Sequence, residues 1–135
     1  LLLINMNISK YKILIYLTSL LLLLNCHTIT DKFSKPSVNN FSELQKVKQK
    51  YLIINRTALD FKILNGIKEA AVAINKTIPL LIKKLRQDQR RYKKYQKYLQ
   101  EMILINEQIL KHARSNNLNM VQTKVKEWQK YKVLF

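Results

Sequence analysis

Apolar residues recur three and four positions apart through most of this chain, and that spacing constrains the fold more than any other feature. Leu44, Val47, Tyr51, Ile54, Ala58 and Phe61 open the pattern. Such steps place side chains on one stripe of an α-helix, at a mean spacing of half a heptad. The stripe slips after Phe61, restarts at Leu64 and continues through Ile67, Ala71, Ile74, Ile78 and Leu81. Gly66 lies at the slip, where a bend or a close helix approach costs least. The small side chains of Ala70, Ala71, Val72 and Ala73 would let a neighbouring helix close in.

The alternation resumes with Leu85, Asp88, Tyr92, Tyr95, Leu99, Met102, Asn106, Ile109 and Ala113. Asp88 and Asn106 are its polar members; buried, they would fix register at a cost in stability, and Asp88 reads equally well as a solvated position. Asn40 with Glu43 three residues later has the form of a capping box. Pro79 removes a backbone donor and clashes with the preceding turn, so a kink or tight turn is expected there. Ser115-Asn116-Asn117 is a polar turn, and Leu118, Val121, Val125 and Trp128 mark a last short helix. The expected fold is all-α. Residues 41–135 form a basic helical domain arranged as a helical hairpin, coiled coil or three-helix bundle. Its core would be modest, which leaves room for a homo-oligomer.

Residues 1–26 read differently. Lys10 and Lys12 precede an apolar run from Ile13 to Leu24, followed by Asn25 and Cys26. A basic stretch ahead of a short apolar core is the form of an export signal. The run falls short of the roughly 17 to 25 apolar residues of a permanent membrane helix. Residues 1–25 are therefore expected to be a signal peptide, with the residues ahead of Met6 read as upstream translation of the same frame. Residues 26–40 are polar, with Pro36 and several Ser, Thr and Asn, and read as a flexible tether.

Leu23-Leu24-Asn25-Cys26 resembles a bacterial lipobox. Asn25 stands where Gly or Ala is usual, a departure that spirochaetal lipoproteins tolerate. The Lys/Asn/Ile/Leu-rich composition is similar to that of plasmid- or prophage-encoded lipoproteins of Borrelia-type spirochaetes. Size, leader and basic helical body are faintly similar to the hemolysin-accessory lipoproteins of that group. The resemblance implies that Cys26 is acylated and tethers the protein to a membrane, in the outer membrane or at the cell surface. It covers residues 6–26; beyond them it is compositional.

Charge is the remaining signal. The 135 residues carry 25 Lys/Arg against 8 Asp/Glu, a net +17. Lys10 and Lys12 are the only basic residues ahead of Cys26, so the leader does not explain it. Lys83, Lys84, Arg86, Arg90, Arg91, Lys93, Lys94 and Lys97 lie within fifteen residues that hold Asp88 as the only acid. Read as one helix, Lys83, Arg86, Arg90, Lys93 and Lys97 stack along a single face. Like charges so spaced repel by tenths of a kcal/mol per pair, on the order of a weak ion pair in reverse. They would concentrate polyanions or anionic head groups. Tyr92, Tyr95 and Tyr98 interleave with the band, Tyr92 and Tyr95 on the apolar seam and Tyr98 on a flank.

The partners this implies are anionic lipid, an acidic polysaccharide or an acidic protein. Basic residues with aromatics also suit nucleic acid, an alternative that export disfavours; a coiled-coil scaffold is a third reading. A bland solvated face in a lysine-rich chain accounts for the band equally well. One Cys and two His cannot assemble a metal cluster or an internal disulfide, and the single Gly excludes glycine-rich phosphate loops. Glu69, Glu101, Glu107 and Glu127 form no paired-carboxylate pattern, and His112 near Ser115 is not a triad. No catalytic residue, metal ligand or cofactor is expected, and the chain is read as non-enzymatic.

Overall fold

The computed structural model describes residues 9–21 and 33–135. They belong to two compact units, 1–32 and 33–135. In the first, residues 9–21 form a helix, α1, with every described side chain exposed. The apolar residues of the leader pattern that fall within it, from Ile13 to Leu21, are exposed. Residues 22–25 and Cys26 lie outside the described residues.

The second unit holds four helices: α2 (Ser42–Asn55), α3 (Ile67–Leu85), α4 (Gln89–Arg114) and α5 (Leu118–Trp128). Among the described residues there is no strand, and the fold is all-α. Each helix packs on its successor, and α5 returns to the turn that follows α2. Neighbours run antiparallel. Glu43 at the start of α2 meets Lys84 at the end of α3, Asn106 of α4 meets Ala71 of α3, and Gln122 of α5 meets the Ala58 carbonyl.

The apolar stripes face one core. Leu44, Val47, Tyr51 and Ile54 of α2, Ile67, Ala71, Ile74, Ile78 and Leu81 of α3, and Tyr95, Leu99, Met102 and Ile109 of α4 are buried, with Val121, Val125 and Trp128 of α5. Asn106 is buried among them, at the seam position its spacing predicts.

The slip near Gly66 is a complete chain reversal rather than a bend in one helix. Residues Arg56–Asp60 form a π-helical turn, in which the Phe61 amide donates to the Arg56 carbonyl at 3.1 Å. The widened turn puts both Thr57 and Ala58 inside and rotates the next position out of register. Phe61, expected on the stripe, is therefore 58% exposed, with the Arg56 guanidinium 5.5 Å above its ring. Lys62 and Gly66 then take positive φ angles of 54° and 84° to send α3 back along α2.

Pro79, expected to kink or turn the chain, lies within α3, which runs unbroken to Leu85. Its ring is on the exposed face of the helix, away from the core. Ile78, Leu81, Ile82 and Leu85 continue the buried stripe past it. Their burial, at roughly 1.5–3 kcal/mol per large apolar side chain, outweighs the cost of about 3 kcal/mol for an interior proline.

The second reversal falls at Arg86–Asp88, a 3-10 turn with neither Gly nor Pro. Residues 86–91 are all polar, so a helix continued through them would bury nothing. Folding back lets Leu85 and Tyr92 face the same core. Asp88 is exposed and precedes α4, so it is no seam residue.

Two boundary expectations change. Asn40 does not cap α2: it ends a 3-10 turn, Val38–Asn40, and Phe41 holds the N-cap position without a side-chain bond. Glu43, the other half of the expected box, is drawn across to Lys84 instead. The packed unit also starts earlier than residue 41. Phe33 lies against Tyr95 and Tyr98 with ring centroids 5.8 and 5.6 Å away, and Pro36 is buried. Residues 27–32 of the segment read as a tether lie outside the described residues. After Trp128 a 3-10 segment, Gln129–Leu134, adds Tyr131 and Leu134 to the core, and the Tyr95 hydroxyl donates to the Leu134 carbonyl at 2.8 Å.

A candidate polyanion surface at one end of the helices

Lys83 and Lys84 occupy the last turn of α3, Arg86 the 3-10 turn, and Arg90, Arg91, Lys93, Lys94 and Lys97 the first turns of α4. All eight are exposed. They do not stack along one helical face as a single-helix reading requires, because the chain reverses between Leu85 and Gln89. Only Arg90, Lys93 and Lys97 keep that relation. The reversal gathers all eight at one end of the α3–α4 hairpin instead. From Gln89 to Lys97 the helix rises about 12 Å, so the cluster is a cap on the hairpin.

Its charge is largely uncompensated. Among the described residues, Lys84 alone of the eight reaches a carboxylate, Glu43 at 2.8 Å. That hydrogen bond from Lys84, with one from its own backbone amide, holds the Glu43 carboxyl below the usual carboxylate range. Lys83 and Lys84 suit the negative end of the α3 dipole. The cations of α4 have no such compensation: its first turn contains no acidic residue, and Asp88 makes no cap bond there. Arg90 and Arg91 thus add to the positive end of the α4 dipole, which works against folding.

The aromatic residues interleaved with the cluster are committed to packing. Tyr92 and Tyr95 are buried, and Tyr95 is also hydrogen-bonded to Leu134. Burial pushes the Tyr95 phenol well above its ordinary range. Tyr98, expected on a flank, is half-buried between Phe33 and Tyr131, the latter 6.0 Å away. These rings do not offer open faces for stacking bases.

Spacing alone could not bring Phe33 and Lys35 to this region. Phe33 covers Tyr95 and Tyr98, and Lys35 donates to the Phe135 carbonyl beside Leu134. Both lie in a polar segment with no period. A lone aromatic there was the only available signal.

Elsewhere, a shallow groove runs over the outer side of α3, floored by Val72, Ala73 and Leu110 and edged by Lys46, Lys68, Glu69, Lys76 and Arg114. The small-residue patch divides between this groove and the core, where Ala70 and Ala71 are buried. Among the described residues no group of His, Cys, Asp and Glu could hold a metal ion, and no helix is long and apolar enough to cross a membrane. Cys26, the expected acylation site, lies outside the described residues. No family model, curated protein or solved structure matches this chain.

Proposed function

We propose that the protein is a lipid-anchored, non-enzymatic helical component of a cell envelope that engages an anionic partner through the basic end of the α3–α4 hairpin. The observation that carries this reading is the gathering of eight exposed cations at one end with one carboxylate contact among them. Such a cluster opposes folding unless an anion occupies it, and it raises the local concentration of polyanions. The anchoring part rests on the lipobox-like Leu23-Leu24-Asn25-Cys26 behind a basic and apolar leader. The burial of Tyr92 and Tyr95 favours a purely electrostatic ligand, anionic lipid or an acidic polymer, over single-stranded nucleic acid read by stacking.

Two measurements test it. Metabolic labelling with a fatty acid should mark the wild type and not Cys26→Ala. Binding to heparin should weaken with salt and fall sharply when Arg90, Arg91, Lys93 and Lys94 are replaced by Gln. Full binding by that variant would make the cluster a solvated face with no ligand.

An assembly role is the second reading. It is favoured by the groove over α3 and by the exposed Leu80 and Leu104 on neighbouring helices. Antiparallel pairing of a second copy there would give a coiled-coil-like scaffold, and sedimentation of the protein as a monomer at tens of micromolar would exclude it.

A further inference from the structure

We infer that the occupant of the basic cluster is the anionic surface of the membrane to which the chain itself is attached, so that the 33–135 unit stands on that membrane with the Arg86–Asp88 turn facing the head groups. The inference rests on the anchoring reading above and adds an orientation and a ligand to it.

The first support is where the chain enters. Phe33 is fixed against Tyr95 and Tyr98, and Lys35 against the Phe135 carbonyl. Tyr95 is six residues into α4, about 9 Å along the helix from its start. The entry point is therefore beside the basic cluster. The opposite turn, Ser115–Asn117, is twenty or more residues beyond Tyr95, about 30 Å along the same axis.

The second support is length. Six residues lie between Cys26 and Phe33, and the seven Cα-to-Cα steps fully extended reach at most about 25 Å. A lipid on Cys26 would leave the cluster free to touch the surface, whereas bringing the far turn down would need more chain than there is. The restriction matters because charges act over about 8–10 Å at physiological salt. A leash of this length brings the cluster repeatedly into that range and makes its adsorption an intramolecular event.

The third support is chemical. A polybasic patch beside a lipid anchor adds electrostatic attraction to anionic head groups. Lys84 alone of the eight cations meets a carboxylate among the described residues, and Tyr92 and Tyr95 are buried and cannot insert. Contact with the surface would be electrostatic, without penetration, and would dissolve in salt.

The test uses the full acylated chain on vesicles of phosphatidylcholine with and without phosphatidylglycerol. A fluorophore is placed at Gln87→Cys or at Asn117→Cys, and energy transfer to a head-group-labelled lipid is read. Transfer should be strong from position 87 and weak from position 117, on phosphatidylglycerol vesicles only. High salt, or Gln in place of Arg90, Arg91, Lys93 and Lys94, should abolish the difference while the protein stays on the vesicle. In the full chain carrying Cys26→Ser, the four substitutions should weaken adsorption to anionic vesicles on the order of a thousandfold. Equal transfer from the two positions in an acylated protein would overturn the docking and leave the anchor standing. Absence of acylation would overturn the anchoring reading and the orientation with it. Tighter binding of the Cys26→Ser chain to duplex DNA than to anionic vesicles would overturn the choice of ligand.

Discussion

Asn106 on α4 donates through Nδ2 to the side-chain oxygen of Asn75 on α3, 2.8 Å away, from a position with no solvent exposure. The same amide reaches the Ala71 carbonyl at 2.8 Å. Two polar side chains thus meet across an otherwise apolar seam, and sliding α3 along α4 by one turn would break both bonds. The pair specifies register at the expense of stability, since the Asn106 Oδ1 has no partner among the described residues.

Replacing Asn106 separates those two effects. Asn106→Asp places a carboxylate against the Ala71 carbonyl and should lose about 3 kcal/mol or more at neutral pH. Its folded-state pKa would lie above the unfolded value of about 3.9, so the penalty vanishes below that value and grows as pH rises. Asn106→Leu should stay within about 1.5 kcal/mol of wild type while its amide spectrum broadens. Denaturant titrations across pH decide; an Asp variant of wild-type stability at neutral pH would refute the buried bond.

Tyr51 and Tyr95 are both buried, yet only Tyr95 has a hydroxyl partner. Tyr95→Phe should destabilise by about 0.5–1.5 kcal/mol, and Tyr51→Phe should be neutral or stabilising. Burial raises both phenols above their ordinary value of 10.0. Their contribution is complete below that value and is lost as pH rises past it, because the unfolded chain ionises first. Thermal melts should therefore fall above about pH 10, less steeply in either Phe variant.

Pro79 is tolerated rather than required. Pro79→Ala restores the backbone amide one turn after Asn75 and should stabilise by about 1–3 kcal/mol. A lower melting temperature in that variant would mean that the proline shapes α3 for its neighbours.

The core was largely legible because burial along a helix obeys a period. Leu44 to Ala58, Ile67 to Leu81 and Tyr92 to Ala113 fall inside where three-and-four spacing puts them, Asn106 included. The reversals were harder to place. Spacing carries across a turn whenever the turn happens to conserve phase, so Asp88 looked like a seam residue though it lies between helices. Proline looked like a stronger breaker than a run of polar residues, yet Pro79 sits on the wet face and Arg86–Asp88 does not bridge any apolar surface. Phe61 was misplaced because one π-helical turn shifts phase. The eight cations were identifiable by composition. Their gathering into a cap was not, since it depends on where the chain folds back.

Removing charge from that cap should stabilise the fold. Replacing Arg90, Arg91, Lys93 and Lys94 with Gln removes like-charge pairs and an unfavourable dipole contact, together worth about 1 kcal/mol at low ionic strength. The gain should shrink in high salt as screening shortens the range of repulsion. Equal melting temperatures in low salt would show that the cations already have partners.

Tyr95 holds both ends of the 33–135 unit: its ring meets Phe33, and its hydroxyl meets the carbonyl of Leu134. The unit is therefore close to a closed ring. Joining residues 135 and 33 through a short linker and opening the chain between 115 and 117 should yield a circular permutant with the same core. Helix adjacency, rather than the order in which helices are synthesised, would then be what defines this fold.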